Sequence, residues 1–298
     1  MSDIMSAVIK EFAYSMVIFW LSGGFGNQLF SFAAGYQLAK DRKETFAIDT
    51  SAQEAPWFFR NYDIGHYNIH YDKKICYPLG NRKIDHYLLN HVHRRKAIGL
   101  FTPTIKERYK YHYDPELFNT YFGTAYYVGF WQCPKYFSHY ESDIREMFVY
   151  TGALSKEADQ LKKEISSNPN SVAVHARRGD YVKIGIALEP AFYRNAIERM
   201  AEQMENPVFY LFSEDPDWIL NAVKDLPFQF RLMNYQSPDK GIEDFELMRS
   251  CKHQIISNST YSWWAAWLND NPNKIILRPS SGLSEDTSEF WPPEWQQL

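Results

Sequence analysis

The sequence contains few cysteines, with Cys76, Cys133 and Cys251 the three among 298 residues. They are odd in number and far apart, and none belongs to a CxxC pair or to a Cys/His cluster. This spacing argues against a disulfide framework and against a metal site built on cysteine. We therefore expect a protein of a reducing compartment.

Long apolar runs and an excess of basic charge are also missing. The stretch Met16–Leu21, "MVIFWL", is much shorter than the about 20 apolar residues that span a bilayer. Lys10 and Glu11 interrupt the chain before it, so a signal peptide is not expected. Lys and Arg total 32 against 36 for Asp and Glu, which gives a net charge of -4. This balance argues against nucleic-acid binding, although a few cations could still hold one phosphate-bearing ligand. The cysteine content and the lack of a signal or membrane segment predict a cytoplasmic protein.

The chain does contain an alternation of strand-like and helix-like segments. In its second half, β-rich runs at 171–176, 208–213, 228–233, 253–257 and 274–279 alternate with helical patterns. Those patterns cover 190–204, 216–223, 241–251 and 259–268. The first half opens in the same way, with a strand, a glycine-rich turn, a helix and a second strand, whereas 52–120 shows no clear pattern. Such alternation predicts an α/β fold whose parallel sheets are covered by helices on both faces.

The polar segment 151–170 is a plausible hinge between two halves. We therefore predict two Rossmann-like domains that face a cleft, one formed by residues 1–153 and the other by 154–298. In parallel sheets of this kind, ligands bind at the edge where the carboxyl ends of the strands meet.

One strand of the second half ends in two arginines. The stretch "VAVHARRGDYV" places Arg177 and Arg178 at the carboxyl end of a buried strand, followed by Gly179 and Asp180. A guanidinium group is a planar, permanently charged fork that suits a phosphate. Two alternatives exist: the arginines form a local salt bridge with Asp180, or the Arg-Gly-Asp tripeptide is adhesive. An adhesive tripeptide needs an exposed loop tip, which a directly preceding buried strand does not favour.

Two polar turns are further candidates for anion binding. In "SGGFGNQ", Gly24, Gly26 and Asn27 stand between the first strand and the first helix, where backbone amides could approach a ligand. This turn matches neither GxGxxG nor a P-loop, and the alternative is a simple tight turn. In "SNSTYS", Ser259 and Thr260 could meet a phosphate at a helix N-terminus, the alternative being ordinary N-capping by Ser259.

The segment "FSEDPDW" could be taken for a metal site, because Asp215 and Asp217 flank Pro216. An aspartate before a proline is, however, typical of a helix N-cap with proline in the first turn, and we predict a cap. His91 and His93 have no carboxylate or cysteine nearby in sequence. We predict no metal site.

Several of these segments together resemble the bacterial α-1,2-fucosyltransferases. The similarity is carried by "SGGFGNQLFSFAAGYQLA", "YVGFWQCPKYF", "HARRGDYV", "DFELMRSCKHQIISNSTYSWWAAWL" and "PPEW", in the expected order along nearly the whole chain. The resemblance implies a GT-B architecture and an inverting transfer of L-fucose from GDP-β-L-fucose to the 2-hydroxyl of a terminal galactose. GDP-fucose is then the donor substrate, with no cofactor and no metal required. The alternatives are an α-1,6 or α-1,3 linkage, or a non-catalytic Arg-Gly-Asp binding protein.

The resemblance also implies roles for individual residues. Arg177 corresponds to the arginine that holds the β-phosphate, and His175 and Asp244 to residues that contact guanine. Ser259 and Thr260 would face the diphosphate. Asp180 is the candidate for the catalytic base, with Glu189 as a second candidate. The chain departs from the family at "LRPSSGL", which lacks the Pro-Lys-x-Trp-Phe run that is common there.

The acceptor is less defined, and a basic segment offers one indication. Ten Lys or Arg residues stand between positions 73 and 110, against Asp85 and Glu107. Such a surface could rest on the anionic inner face of a membrane, which would suit a lipid-linked glycan acceptor, or it could simply be solvated. The ten cations are Lys73, Lys74, Arg82, Lys83, Arg94, Arg95, Lys96, Lys106, Arg108 and Lys110.

Overall fold

The computed structural model describes residues 15–54, 60–76, 102–119, 123–237, 239–280 and 286–298. The chain forms two compact units, residues 1–149 with 287–290 and residues 150–286 with 291–298. The boundary predicted from the sequence lies at 153/154, with all of 154–298 in the second domain. Residues 287–290 instead group with the first unit, where Glu289 binds Lys135 and Phe290 packs against Phe30.

The first unit is built on a five-stranded parallel sheet with the order β3-β2-β1-β5-β4. One long helix, α1, connects β1 to β2. In chain order the unit contains β1 (Met16–Trp20), α1 (Phe25–Arg42), β2 (Thr45–Asp49), β3 (Lys73–Ile75), β4 (Thr104–Lys106), α2 (Pro115–Asn119), β5 (Ala125–Val128) and α3 (Glu141–Met147). Short 3₁₀ turns lie at Asp63–His66, Pro134–Tyr136 and Ser138–Tyr140.

Helix α1 is buried along most of its length and packs closely on the sheet. Gly35 makes this approach possible, because a Cβ atom there would lie 2.5 Å from the Phe46 ring and 2.8 Å from the Phe19 ring. The helix ends at Lys43, whose left-handed backbone (φ 55°) lets its amide bond back to the Lys40 carbonyl. Helix α1 is thereby held close to β1 and β2.

The second unit contains a six-stranded parallel sheet with the order β11-β10-β9-β6-β7-β8. Its elements follow the alternation of strand and helix predicted from the sequence. They are α4 (Lys156–Ser167), β6 (Ser171–Ala176), α5 (Gly179–Lys183), α6 (Pro190–Ala201), β7 (Val208–Ser213), α7 (Pro216–Val223), β8 (Gln229–Leu232), α8 (Lys240–Ser250), β9 (His253–Ile255), α9 (Thr260–Trp267), β10 (Ile276–Arg278) and β11 (Gln296–Gln297).

Both sheets contain a point where the strand order reverses. In the first sheet β1 lies between β2 and β5, and in the second sheet β6 lies between β7 and β9. Crevices at such points are where open parallel sheets bind their ligands. The glycine-rich turn follows β1 and the two arginines follow β6, so the sequence motifs lie at these two points.

The predicted α/β class with two parallel-sheet domains is confirmed, whereas their arrangement around a cleft stays a prediction. The segment 151–170, predicted as a surface helix and hinge, holds α4, whose Ala158 and Ile165 are buried. In the part of the chain that the structure describes, no helix combines the length and apolarity needed to cross a membrane.

Candidate active site

Arg177 lies directly after β6 and is held by two carboxylates. Its guanidinium group donates to Glu214 and to the Asp180 carboxylate, the latter at 2.7 Å. The same group lies 5.3 Å from the centre of the Tyr181 ring. Only 18% of the Arg177 side chain is exposed, so these contacts fix its direction at the sheet edge.

Arg178 points away from this pair, as neighbouring residues at a strand end do. Its guanidinium carbon lies 3.9 Å from the centre of the Trp218 ring on α7, and its backbone amide donates to Glu214 at 3.0 Å. The tripeptide 178–180 therefore does not present two free charged side chains, because Arg178 stacks on an indole and Asp180 binds Arg177. The predicted local salt bridge of Asp180 is made with Arg177.

Glu214 organises this end of the sheet and was not predicted from the sequence. It follows β7, whose Ser213 pairs with Ala176 of β6, so its carboxylate is placed beside the first residues after β6. The same carboxylate accepts from the Arg177 side chain and from the Arg178 backbone amide. The position of Glu214, one residue beyond the strand that neighbours β6, could have indicated this role. The two aspartates considered in the same segment were Asp215 and Asp217.

His175 is buried at the end of β6 and faces α9. Its Nδ1 lies 3.0 Å from the Ser257 hydroxyl, and its ring centre lies 5.3 Å from that of Tyr261. Burial lowers the pKa of His175 to about 4, and nearby Arg177 adds to this effect while Glu214 opposes it. The imidazole is therefore neutral at pH 7, with one nitrogen able to donate and the other able to accept.

The polar turn after β9 leads into the N-terminus of α9. Ser259 caps the helix by accepting from the Tyr261 amide at 3.4 Å, so the capping alternative is confirmed. The Asn258 side chain donates to the Ile186 carbonyl at 2.9 Å, and the Tyr181 hydroxyl donates to the Asn258 carbonyl at 3.4 Å. These bonds tie the segment after Arg177 to the start of α9, where Thr260 is the first helical residue.

Asp244 lies on α8, on the same side of the sheet as α9. Both of its oxygens accept from the Lys240 ammonium, at 3.0 and 2.9 Å. Burial raises the pKa of Asp244, and the charge of Lys240 opposes that rise. Burial and the Asp244 charge together raise the pKa of Tyr261, the residue that contacts His175. The Tyr261 hydroxyl also donates to the Gly241 carbonyl of α8, so His175, Tyr261 and the helix that carries Asp244 form one polar patch within the second unit.

The glycine-rich turn belongs to the first unit, whereas the residues described so far belong to the second. Gly24 is the N-cap of α1 with ordinary extended backbone, and a Cβ atom there would meet nothing within 4 Å. Gly23 is the position that requires glycine, since its φ is +76° and a Cβ atom would lie 2.8 Å from the Asn27 side-chain nitrogen. Asn27 accepts from the Gln132 side chain at 2.8 Å, and Gly26 is buried in the first turn of α1.

The structure confirms the helix-cap interpretation of Asp215. Its carboxylate accepts from the Trp218 amide at 3.2 Å, and Pro216 occupies the first turn of α7. Within the described ranges, no three His, Cys, Asp or Glu side chains are grouped so as to hold a metal ion. His91 and His93 lie outside the described residues.

Only part of the basic segment is described, and Lys74 and Arg108 are among its paired cations. Lys74 binds Glu54 at 2.7 Å, and Arg108 binds Asp114 at 2.6 Å. Residues 77–101, with five of the ten cations, lie outside the described residues. Membrane contact therefore stays a prediction.

Comparison with known proteins places the chain in a family. The model of glycosyl transferase family 11 matches residues 81–298. An α-1,2-colitosyltransferase of Escherichia coli is 26% identical over 95% of this chain and 99% of its own length. The O-antigen biosynthesis glycosyltransferase WbnK of the same organism is 28% identical, over 91% of this chain and 98% of its own. The human galactoside α-(1,2)-fucosyltransferase 1 is 25% identical over 54% of this chain and 48% of its own length.

Solved structures share the fold. The crystal structure of the NodZ α-1,6-fucosyltransferase soaked with GDP-fucose matches 89% of this chain and 95% of its own, with a TM-score of 0.54 and 17% identity. The structure of the fucosyltransferase NodZ from Bradyrhizobium gives the same TM-score over 85% of this chain and 92% of its own. The two-sheet fold, the arginine at the strand edge and the family match agree, and the chain belongs to glycosyl transferase family 11.

Proposed function

We propose that this glycosyltransferase is inverting and transfers L-fucose from GDP-β-L-fucose to the 2-hydroxyl of a terminal galactose. The observation that carries the proposal is the position of Arg177, a fixed guanidinium group at the point where the second sheet reverses its strand order. Relatives of this chain with α-1,2 activity in their names support the linkage.

The reaction replaces one bond to the anomeric carbon by another. The bond from that carbon to the diphosphate oxygen breaks, and the acceptor hydroxyl oxygen forms the new bond from the opposite side. Negative charge grows on the departing GDP, and a guanidinium group at the β-phosphate stabilises this charge more in the transition state than in the ground state. Arg177 would supply this group by exchanging a bond to Glu214 or Asp180 for one to phosphate.

The polar patch would hold the nucleoside, and the start of α9 the diphosphate. His175 is neutral and can exchange hydrogen bonds with guanine, while the Asp244 carboxylate can accept from the N–H groups of that base. Ser259 and Thr260 stand at the positive end of α9, which favours the diphosphate. The backbone of Gly24, Gly26 and Asn27 at the start of α1 is the proposed contribution of the first unit.

The acceptor proton needs a base, and Asp180 is our candidate. Its carboxylate is half-exposed and lies beside Arg177, next to the leaving group in the proposed arrangement. Glu189 is the second candidate. Comparing Asp180→Asn with Glu189→Gln distinguishes the two candidates. The variant that lacks the base should turn over at least about a hundredfold more slowly, and retained turnover in Asp180→Asn would show that Asp180 is not the base.

No metal is part of the proposed reaction, since the arginine provides the charge that a divalent cation would otherwise supply. We expect turnover to be unchanged by a chelator, and restoration of lost activity by Mg²⁺ or Mn²⁺ would contradict this. The acceptor is a galactose-terminated oligosaccharide or a lipid-linked glycan. Co-sedimentation with liposomes that does not depend on anionic lipid would remove the proposed membrane contact.

The donor sugar has a second candidate, because the name of one relative contains colitose. Colitose lacks one hydroxyl group of fucose, and a site that binds this hydroxyl rejects the deoxy sugar strongly. Thermal shifts with GDP, UDP and ADP should first show a preference for GDP. Product NMR with each GDP-sugar and lactose then identifies sugar and linkage, and an α-1,3 or α-1,6 product would overturn the proposed linkage.

A further inference from the structure

Arg278 stands at the carboxyl edge of the second sheet without a carboxylate partner among the described residues. It is half-buried as the last residue of β10, and the only hydrogen bond from its guanidinium group to a described residue runs from Nη1 to the Pro279 carbonyl at 3.2 Å. Its Nε is buried and has no hydrogen-bond partner within the described part of the chain. Arg177, Arg194 and Arg199, by contrast, each pair with a carboxylate.

A half-buried positive charge without a counter-charge is unfavourable in a folded protein. Burial accordingly lowers the pKa of Arg278 from its ordinary value. The neighbouring ring of Trp291, whose centre lies 5.4 Å from the guanidinium carbon, compensates only in part. An uncompensated charge at a ligand-binding edge is a feature of sites that receive an oppositely charged ligand.

The strand register places Arg278 level with His175. Leu277 pairs with Ile255, and Ile255 pairs with Val174, so the next residues, Arg278 and His175, share a level and a face of the sheet. Two strand spacings of about 4.8 Å separate their backbones by roughly 10 Å.

Aromatic contacts identify this face as the one that α9 covers. His175 contacts Tyr261 of α9. The ring of Trp291, which neighbours Arg278, has its centre 6.3 Å from that of Trp295. The Trp295 ring centre in turn lies 5.3 Å from that of Trp263 on α9. Strand β9, which continues into the N-terminus of α9, runs between β6 and β10. Arg177 and Arg278 therefore stand on either side of that N-terminus, two guanidinium groups flanking the positive end of a helix.

We propose that Arg278 is the second cation of the diphosphate site, contacting the diphosphate from the side of α9 opposite Arg177. The ligand is a nucleoside diphosphate, and the proposal rests on the proposed function. Two fixed cations and a helix N-terminus between them match a group with two negatively charged phosphates better than a single arginine does.

The test is the affinity of Arg278→Gln for GDP, GMP and guanosine, measured by isothermal titration calorimetry. We expect GDP to bind about tenfold to a hundredfold more weakly than to the unchanged protein, as the loss of a charge-assisted bond predicts, with guanosine unaffected. GMP reports which phosphate is contacted, since weaker GMP binding indicates the α-phosphate and unchanged GMP binding the β-phosphate.

Arg199→Gln is the matched control, because it removes an arginine of the same unit that is exposed and paired with Glu202. Unchanged GDP affinity in Arg278→Gln would overturn the proposal, and so would an equal loss for guanosine, which would indicate a packing role. Thermal unfolding of Arg278→Gln should not occur at a lower temperature, since an uncompensated charge is removed. If the unchanged protein shows no preference for GDP over UDP and ADP, the proposed function itself fails, which is a different result.

Discussion

The side chains of Arg177 and Arg178 look equivalent in the sequence but have different surroundings. We expect Arg177→Ala to lose at least about a hundredfold in turnover, about 3 kcal/mol of transition-state stabilisation, because its charge acts on the leaving group. Lysine should not restore the rate, since a point charge does not reproduce the bidentate fork. Arg178→Ala should lower stability through the lost Trp218 contact and leave turnover per folded molecule nearly unchanged.

Steady-state kinetics corrected for the folded fraction by circular dichroism provide the measurement. Near-normal turnover in Arg177→Ala together with a loss in Arg178→Ala would show that the phosphate contact belongs to the other arginine. Glu214→Gln is a useful companion variant, because it keeps the shape of the residue that accepts from both positions.

His175 should make stability depend on pH. Its ordinary pKa is 6.5 and its folded pKa about 4, so between these values the unfolded chain takes up a proton that the folded chain refuses. Stability therefore falls as pH drops from 6.5 to 4, by at most about 3 kcal/mol, and this contribution is constant above 7. Urea unfolding across this pH range should show that the unchanged protein loses more unfolding free energy than His175→Gln. Parallel curves would contradict the assignment.

Individual site residues were predictable where the signal was local. Arg177 follows a buried run, and Asp215 precedes a proline, so neighbouring letters were enough to place both. Glu214 was missed because its partner is 37 positions away and the pairing of β6 with β7 decides the contact. The glycine-rich turn contains three glycines, and the letters alone do not show that Gly23, rather than Gly24, has the positive φ angle.

Helices and strands of the second unit were predicted more accurately than those of the first. The strands at 171–176 and 208–213 and the helix at 216–223 have the predicted bounds, because each is an apolar run or periodic pattern bounded by turn residues. Strand β11 spans only Gln296–Gln297 and carries no pattern, and β3 and β4 have three residues each. Such short strands exist through pairing with a longer neighbour, which local sequence does not reveal.

Two helical glycines should respond oppositely to alanine. In α1, a methyl group at Gly35 would collide with Phe46 and Phe19, so Gly35→Ala should destabilise the protein by about 1–3 kcal/mol. In α8, a Cβ atom at Gly241 would meet nothing within 4 Å, so Gly241→Ala should stabilise it by about 0.5 kcal/mol. Chemical unfolding followed by circular dichroism measures the stability of both variants. Equal effects would show that helix propensity, rather than packing against the sheet, determines the change in stability.

The two units divide the candidate residues between them. His175, Arg177, Asp244, Ser259 and Thr260 belong to the second unit, whereas Gly24, Gly26 and Asn27 belong to the first. Arg177 and the glycine-rich turn each follow the strand at which their own sheet reverses order, so the sequence predicted two ligand edges but not which ligand each edge binds. A measurement that reports on both units in one molecule is therefore needed.

Hydrogen exchange with and without GDP is such a measurement. We expect GDP to slow exchange of backbone amides at 177–181 and 258–261, where the diphosphate would meet the end of β6 and the start of α9. Amides at 24–27 should slow as well, because we propose that Gly24, Gly26 and Asn27 contact the donor. The amides of α6 serve as the internal control and should not change, because α6 and α7 pack on the face of the second sheet opposite to that of His175. Protection confined to the second unit would remove Gly24, Gly26 and Asn27 from the donor site and leave the first unit to the acceptor alone.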